Sequence, residues 1–146
     1  MFKRYLVLLI MAMTSLFAAG CAQQAAAPSF DHYQAQQVVD ALNAAGATVQ
    51  NPVQNMTVGR NAPATFNNRI IFEIPRIAPD GGQILTFRTA GDMQAWEDYI
   101  TSLRNDPDTR RPVIYVYTKD NVMLQLNANL TNEEATQYSA ALQAMN

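Results

Sequence analysis

Two pairs of short strand-like runs, each folded about a turn-forming triplet, most constrain what this chain can become. Residues 69–74 (Arg-Ile-Ile-Phe-Glu-Ile) place Ile70, Phe72 and Ile74 on one face. After the turn residues Asp80-Gly81-Gly82 comes a second strong run, residues 83–87 (Gln-Ile-Leu-Thr-Phe). Residues 113–117 and 122–126 repeat the arrangement around Lys119-Asp120-Asn121, the signature of a hairpin. Short links of this kind join antiparallel neighbours, because a parallel pair needs a long crossover. The chain is thereby committed to a largely antiparallel sheet. A weaker strand starts at Thr48 and Val49 and ends near Pro52, and Pro75 marks a strand end or an edge.

Helices supply the covering layer. Asp31 can cap a helix over residues 32–45 that carries Ala35, Val38, Val39 and Leu42 on one face, and Gly46 stops it. Gly91-Asp92 opens a second helix, in which Met93, Trp96, Ile100 and Leu103 form an apolar stripe. Asp92 suits its N-terminus and Arg104 its C-terminus. Thr131-Asn132-Glu133-Glu134 is a capping box for a last helix that buries Ala135, Tyr138, Leu142 and Met145. Residues 54–68, rich in Asn and punctuated by Gly59 and Pro63, read as a long loop. The predicted order is α-β-β-β-α-β-β-α. This is an α+β two-layer sandwich, a mostly antiparallel sheet of four to five strands with three helices on one face. The connection through the central helix leaves room for one parallel pair.

Ahead of this domain the chain has a different character. Lys3 and Arg4 precede an uncharged stretch over residues 5–20, which closes on Ala18-Ala19-Gly20 and the single cysteine, Cys21. A basic start, a short apolar middle and a small-residue exit form the plan of a secretory signal peptide. The apolar stretch is shorter than the roughly 20 residues a spanning helix needs. Phe17-Ala18-Ala19-Gly20-Cys21 resembles the lipobox of bacterial lipoproteins, with Ala18 where that motif usually has Leu. The resemblance implies cleavage before Cys21 and acylation of its thiol and new amine. The division is then a signal peptide at 1–20, a lipidated tether at 21–29 (Cys-Ala-Gln-Gln-Ala-Ala-Ala-Pro-Ser) and one α+β domain at 30–146. Two or three acyl chains hold a protein on a membrane without spanning it. The resemblance places the domain outside the cytoplasm, on the cell membrane or the outer membrane.

Cleavage also shifts the charge balance. Lys3 and Arg4 leave with the signal, so 8 basic residues face 12 acidic ones, a formal charge of −4. Such a surface lacks the basic footprint of a nucleic-acid binder and the polybasic cluster that anionic lipid attracts. Attachment falls to Cys21.

The catalytic census is thin. His32 is the only histidine and stands beside the tether. With the cysteine consumed, no set of metal ligands at workable spacing remains, and no cofactor is expected. No serine sits in a Gly-x-Ser-x-Gly turn, and Gly81-Gly82 lacks the P-loop lysine. Of the acids, Glu97 and Asp98 belong to the exposed side of their helix, Asp106 and Asp108 share a loop with Arg110 and Arg111, and Glu133 and Glu134 serve as caps. Glu73 points away from Ile70, Phe72 and Ile74, toward solvent or a pocket. Tyr115 and Tyr117 share a strand face with Val113. If Ile114 and Val116 face the helices, the tyrosines form an open aromatic patch suited to a protein or a glycan. Otherwise they belong to the covered or half-covered face.

Gln125-Leu126-Asn127-x-x-Leu130-Thr131-x-x-Glu134-Ala135, after the hairpin, resembles small uncharacterised bacterial lipoproteins. That resemblance implies a helix-capped ending and no activity. Two classes of function stay open: a non-enzymatic envelope module binding a protein or wall component, and a small hydrolase of envelope carbohydrate working through two carboxylates. A ligand-holding domain is a third and needs an apolar cavity.

Overall fold

The computed structural model describes residues 30–59, 61–106 and 115–146. The signal segment, Cys21 and the tether lie outside the described residues. So do Asp108, Arg110, Arg111 and the first two residues of the strand expected over 113–117. Within the described residues the elements run α1 (Ala35–Ala44), β1 (Gln50–Gln54), β2 (Asn68–Glu73), a single 3-10 turn (Pro75–Ile77), β3 (Gly81–Thr86), α2 (Ala90–Asn105), β4 (Tyr115–Lys119), β5 (Val122–Leu126) and α3 (Asn132–Gln143). The class is α+β, and the order is the one that the alternating patterns predict. None of the described helices is long and apolar enough to cross a membrane.

All five strands form one sheet in the order β1-β2-β3-β5-β4, and every neighbouring pair is antiparallel. The parallel pair allowed by the helical crossover does not form, because β5 lies between β3 and β4. Burial explains the insertion. Every residue of β5 is buried, whereas every residue of β4 is only half-buried. A strand apolar on both faces belongs inside a sheet, so the hairpin presents β5 inward and leaves β4 on the edge. At the opposite edge, β1 tolerates Pro52 because an edge strand can spare that N–H. Asn51 takes a left-handed φ of 46° where the β1–β2 register slips. The strand expected from Thr48 begins two residues later. Val49 donates its N–H to Asn43 Oδ1 at 2.8 Å instead.

The register sorts side chains onto two faces. On the first, Ile70, Phe72, Ile84, Val122, Leu124 and Leu126 pack with Val38, Val39 and Leu42 of α1 and Tyr138 and Leu142 of α3. This is the expected two-layer sandwich. The amphipathic α2 departs from the one-face arrangement: its Trp96 and Ile100 cluster on the second face with Phe66, Leu85, Phe87 and Met123. The run from Ile84 to Phe87 is buried at every position, so both of its faces need cover. Gly81 and Gly82 lie in β3 rather than in the turn before it. A Cβ at Gly81 would run into the Phe72 carbonyl, and one at Gly82 would stand 2.6 Å from the Gln125 carbonyl oxygen and 2.7 Å from Phe72 Cζ. Their lack of a side chain serves strand packing.

Helix starts follow local chemistry. Thr89 caps α2, its hydroxyl accepting the Asp92 N–H at 3.1 Å and donating to the Asp92 carboxylate at 2.8 Å. Thr131 and Glu134 complete the expected capping box: Thr131 N–H donates to Glu134 Oε2 at 2.7 Å, and Glu134 N–H donates to Thr131 Oγ1 at 3.2 Å. Asp31 does not cap α1. The helix begins after Gln34, whose N–H donates to Gln37 Oε1 at 2.7 Å.

One buried amide fixes where the chain joins the domain. Asn121, 1 % exposed at the β4–β5 turn, accepts the Tyr33 N–H and donates to the Tyr33 carbonyl, both at 2.9 Å. Tyr33 packs into the first cluster and Phe30 against the second. The chain therefore crosses the end of the sheet at this turn.

Candidate functional site

The second sheet face is only partly covered. Its cross-strand row nearest the β4–β5 turn is Thr118, Met123, Leu85 and Arg69. Leu85 and Met123 are buried there beneath the aromatic residues of α2. The next row is Val116, Gln125, Gln83, Ile71 and Val53, and beyond it Glu73 stands opposite Gln50 and Gly81. Cover fades toward β1 along these rows. Gln125 is 2 % exposed, Ile71 and Glu73 are half-buried, and Val53 is 54 % exposed.

A polar ladder crosses this face. Arg69 Nε donates to Gln83 Oε1 at 2.6 Å, Gln83 Nε2 to Gln125 Oε1 at 2.6 Å, and Gln125 Nε2 to Met123 Sδ at 3.0 Å. Arg69 also donates to the Thr57 carbonyl, which ties the 55–67 loop over the sheet. Burial lowers the Arg69 pKa from the usual arginine value, yet a guanidinium stays charged in a protein. Among the described residues Arg69 makes no ion pair; its partners are neutral acceptors. On β2 the sequence Arg69-Ile71-Glu73 thus points one cation, one apolar side chain and one carboxylate along a single column, with Val53 across from Ile71. The Glu73 carboxylate is held at the edge by Asn51 Nδ2, at 2.8 Å. The column thus sets an apolar centre between a partly desolvated arginine and an acid.

The tyrosines singled out by the sequence lie elsewhere. Tyr115 and Tyr117 are half-buried on the first face, packed against the helix-side cluster, while Val116 points to the second. The Tyr115 hydroxyl bonds the Leu130 carbonyl at 3.1 Å and Asn132 Oδ1 at 2.9 Å. Burial raises the Tyr117 pKa, with a smaller push from Tyr115. The open aromatic patch required Ile114 and Val116 to face the helices; Val116 faces the other way, so the tyrosines belong to the half-covered face. They also lie on the opposite face of the sheet from the 54–68 loop, whose Val58, Ala62 and Phe66 pack in the second cluster with Val116, so the fold does not bring the two together.

The remaining candidates have local partners. His32 stacks on Tyr33 with ring centroids 4.3 Å apart, and its Nδ1 lies 3.5 Å from Asp120 Oδ2. Asp98 accepts from Gln94 Nε2 at 3.0 Å, and Glu134 pairs with Arg76 besides capping α3. Among the described residues no group of three or more His, Cys, Asp or Glu could hold a metal ion. Arg69, Gln83 and Gln125 escaped the sequence reading because polar residues inside apolar strands pass as ordinary solvent-facing alternation. Their signal was register: Gln83 and Gln125 are direct cross-strand partners. No family model, curated protein or solved structure matches the chain.

Proposed function

We propose that this chain is an exported lipoprotein, held on the cell membrane or outer membrane through acylated Cys21. In this reading its domain is a non-enzymatic module that docks an envelope protein. The observation that carries the docking is the Arg69-Ile71-Glu73 column beside exposed Val53. A patch of apolar surface rimmed by polar groups marks an interaction site, and arginine is enriched at the energetic core of protein interfaces. The fitting partner is a protein surface with an apolar projection flanked by an acid, to meet Arg69, and a base, to meet Glu73. A wall glycan is the less suited occupant, because sugars stack on open aromatic rings and the tyrosines of β4 are half-covered. The anchor is supported by the lipobox resemblance at residues 17–21.

Site-specific photo-cross-linking in native membranes tests the docking. A cross-linker at exposed Gln50 should give one discrete protein adduct that Val53→Asp removes, while a cross-linker at Thr136 on α3 gives none. Equal adducts from both positions, or none from Gln50, would refute the docking face. The intact mass of membrane-extracted protein tests the anchor: an unmodified Cys21 would overturn it.

A further inference from the structure

We infer that the domain rests on the bilayer with the β4–β5 turn end of its sheet toward the lipid and with Met56 as the apolar point of contact. This rests on the acylation of Cys21 proposed above. It adds an orientation and a lipid surface as a second partner.

Three observations converge. First, the Asn121 amide grips both backbone polar groups of Tyr33, so the chain leaves the folded domain at the β4–β5 turn. From Cys21 to Phe30 there are nine chain steps, which span at most about 30 Å when fully extended. The opposite end of the sheet is a further strand length away, roughly 17 Å for a five-residue strand. The anchor therefore restrains the turn end, and the far end meets lipid only if the domain folds back over its own tether.

Second, the other segments at that end are in place to form a base. Register fixes the direction: Lys119, Val122, Thr86 and Asn68 form the last row before the turn. Asn55 donates its N–H to the Arg69 carbonyl at 3.0 Å, which carries β1 past Gln54 toward that same end. Met56 comes next, at the start of the 55–67 loop. The loop is pinned to the domain by Val58, Ala62 and Phe66 in the second cluster and by Thr65, whose hydroxyl donates to the Asp92 carbonyl at 3.0 Å.

Third, Met56 belongs to neither apolar cluster. It is 49 % exposed and, with Val53, is one of two large hydrophobics so exposed among the described residues. Val53 belongs to the docking face. A flexible thioether side chain at the end of the sheet nearest the anchor suits the boundary between headgroups and acyl chains. Charge does not drive the contact: against Arg88 and Lys119 this end carries Asp31, Asp92 and Asp120, which leave no excess of positive charge. The contact should therefore be indifferent to anionic lipid.

Acylation removes the only thiol, so an introduced cysteine takes a nitroxide label uniquely. Met56→Cys, Asp120→Cys and Glu133→Cys are each labelled in acylated protein reconstituted into phosphatidylcholine vesicles. The ratio of relaxation by oxygen to relaxation by a water-soluble nickel chelate then reads depth. The label at 56 should show a ratio severalfold above that at 133, at the far end on α3, with 120 between them. Adding phosphatidylglycerol should leave the order unchanged. Equal ratios at 56 and 133 in protein whose mass shows acylation would overturn the orientation and leave the anchor standing. Lipid contact at 56 that appears only with phosphatidylglycerol would overturn the apolar contact. An unmodified Cys21 would overturn the anchor and the orientation together.

Discussion

Replacing Asn121 by Ala removes one amide and deprives two backbone groups at once. In the native fold its Oδ1 accepts the Tyr33 N–H and its Nδ2 donates to the Tyr33 carbonyl, each at 2.9 Å and both buried. A buried donor or acceptor left without a partner costs about 1–3 kcal/mol, so both together would cost about 2–6 kcal/mol. A cheaper escape caps that figure. Residues 30–34 can peel away until water reaches Tyr33, at the expense of re-exposing a side chain whose burial contributes about 1.5–3 kcal/mol. The molecule takes the cheaper route, and the expected loss is about 2–3 kcal/mol. Turn strain does not confuse the result, because the left-handed φ of 48° falls on Asp120 and not on Asn121. Urea unfolding of a soluble form without residues 1–21 should show the midpoint lowered by about 1–2 M, given a slope of about 1–3 kcal/mol per molar. Amide exchange should accelerate most at Tyr33. Asn121→Asp keeps an acceptor for the Tyr33 N–H but offers no donor to the carbonyl, and should not restore stability at neutral pH. A loss below about 0.5 kcal/mol for Asn121→Ala would show that the clasp does not hold the chain.

Gly82→Ala should destabilise by about 1–3 kcal/mol, the usual cost of overfilling a packed site, since its Cβ would lie 2.6 Å from the Gln125 oxygen. Gly59→Ala, with nothing within 4 Å, should leave the melting temperature unchanged. Trp96→Phe should be nearly neutral, within about 1 kcal/mol by denaturation: it deletes an indole N–H that has no partner among the described residues, and that gain offsets lost contacts. A loss as large as the about 3–5 kcal/mol of a Trp→Ala change would count against this. Glu134 is held below the usual carboxylate range, first by the Thr131 N–H and then by Arg76. A depressed pKa adds stability that is present above the unfolded value and lost as pH falls through the folded one. The urea midpoints of the native protein and Glu134→Gln should therefore differ at neutral pH and converge below about pH 4, near and under the ordinary glutamate value; divergence toward acid would contradict the cap.

The legible part of this fold is the part written in periodicity. Ile70, Phe72 and Ile74 named their face, Val38, Val39 and Leu42 named theirs, and Thr131 with Glu134 announced the last helix three residues apart. What periodicity cannot carry is which of two faces a helix covers. Met93, Trp96 and Ile100 read the same whether α2 lies above or below the sheet, and only the double-sided burial of β3 and β5 sends it to the second face. Arg69 and Ile71, beside the Glu73 that strand alternation did mark, failed to register for a related reason. Arg69, Ile71 and Glu73 are the off-beat of a strand whose on-beat is the core, and off-beat residues are uniform in sequence until cross-strand neighbours are known. The same ambiguity left the tyrosines of β4 open between two faces, a choice that Val116 decides by packing in the second cluster.

The turn at Asn121 ties these levels together. A two-residue hairpin turn can be closed by many sequences, since a left-handed residue such as Asp120 supplies most of the geometry. Burying an asparagine there incurs desolvation for no gain to the turn itself. The cost is offset only because both ends of the amide meet Tyr33. Asn121 is thus better explained by the chain that enters beside it than by the hairpin it closes. That gives the residue a meaning at the scale of the whole molecule. It fixes the end of the sheet at which residues 30–34 join the domain, the same end at which Arg69 stands in its column.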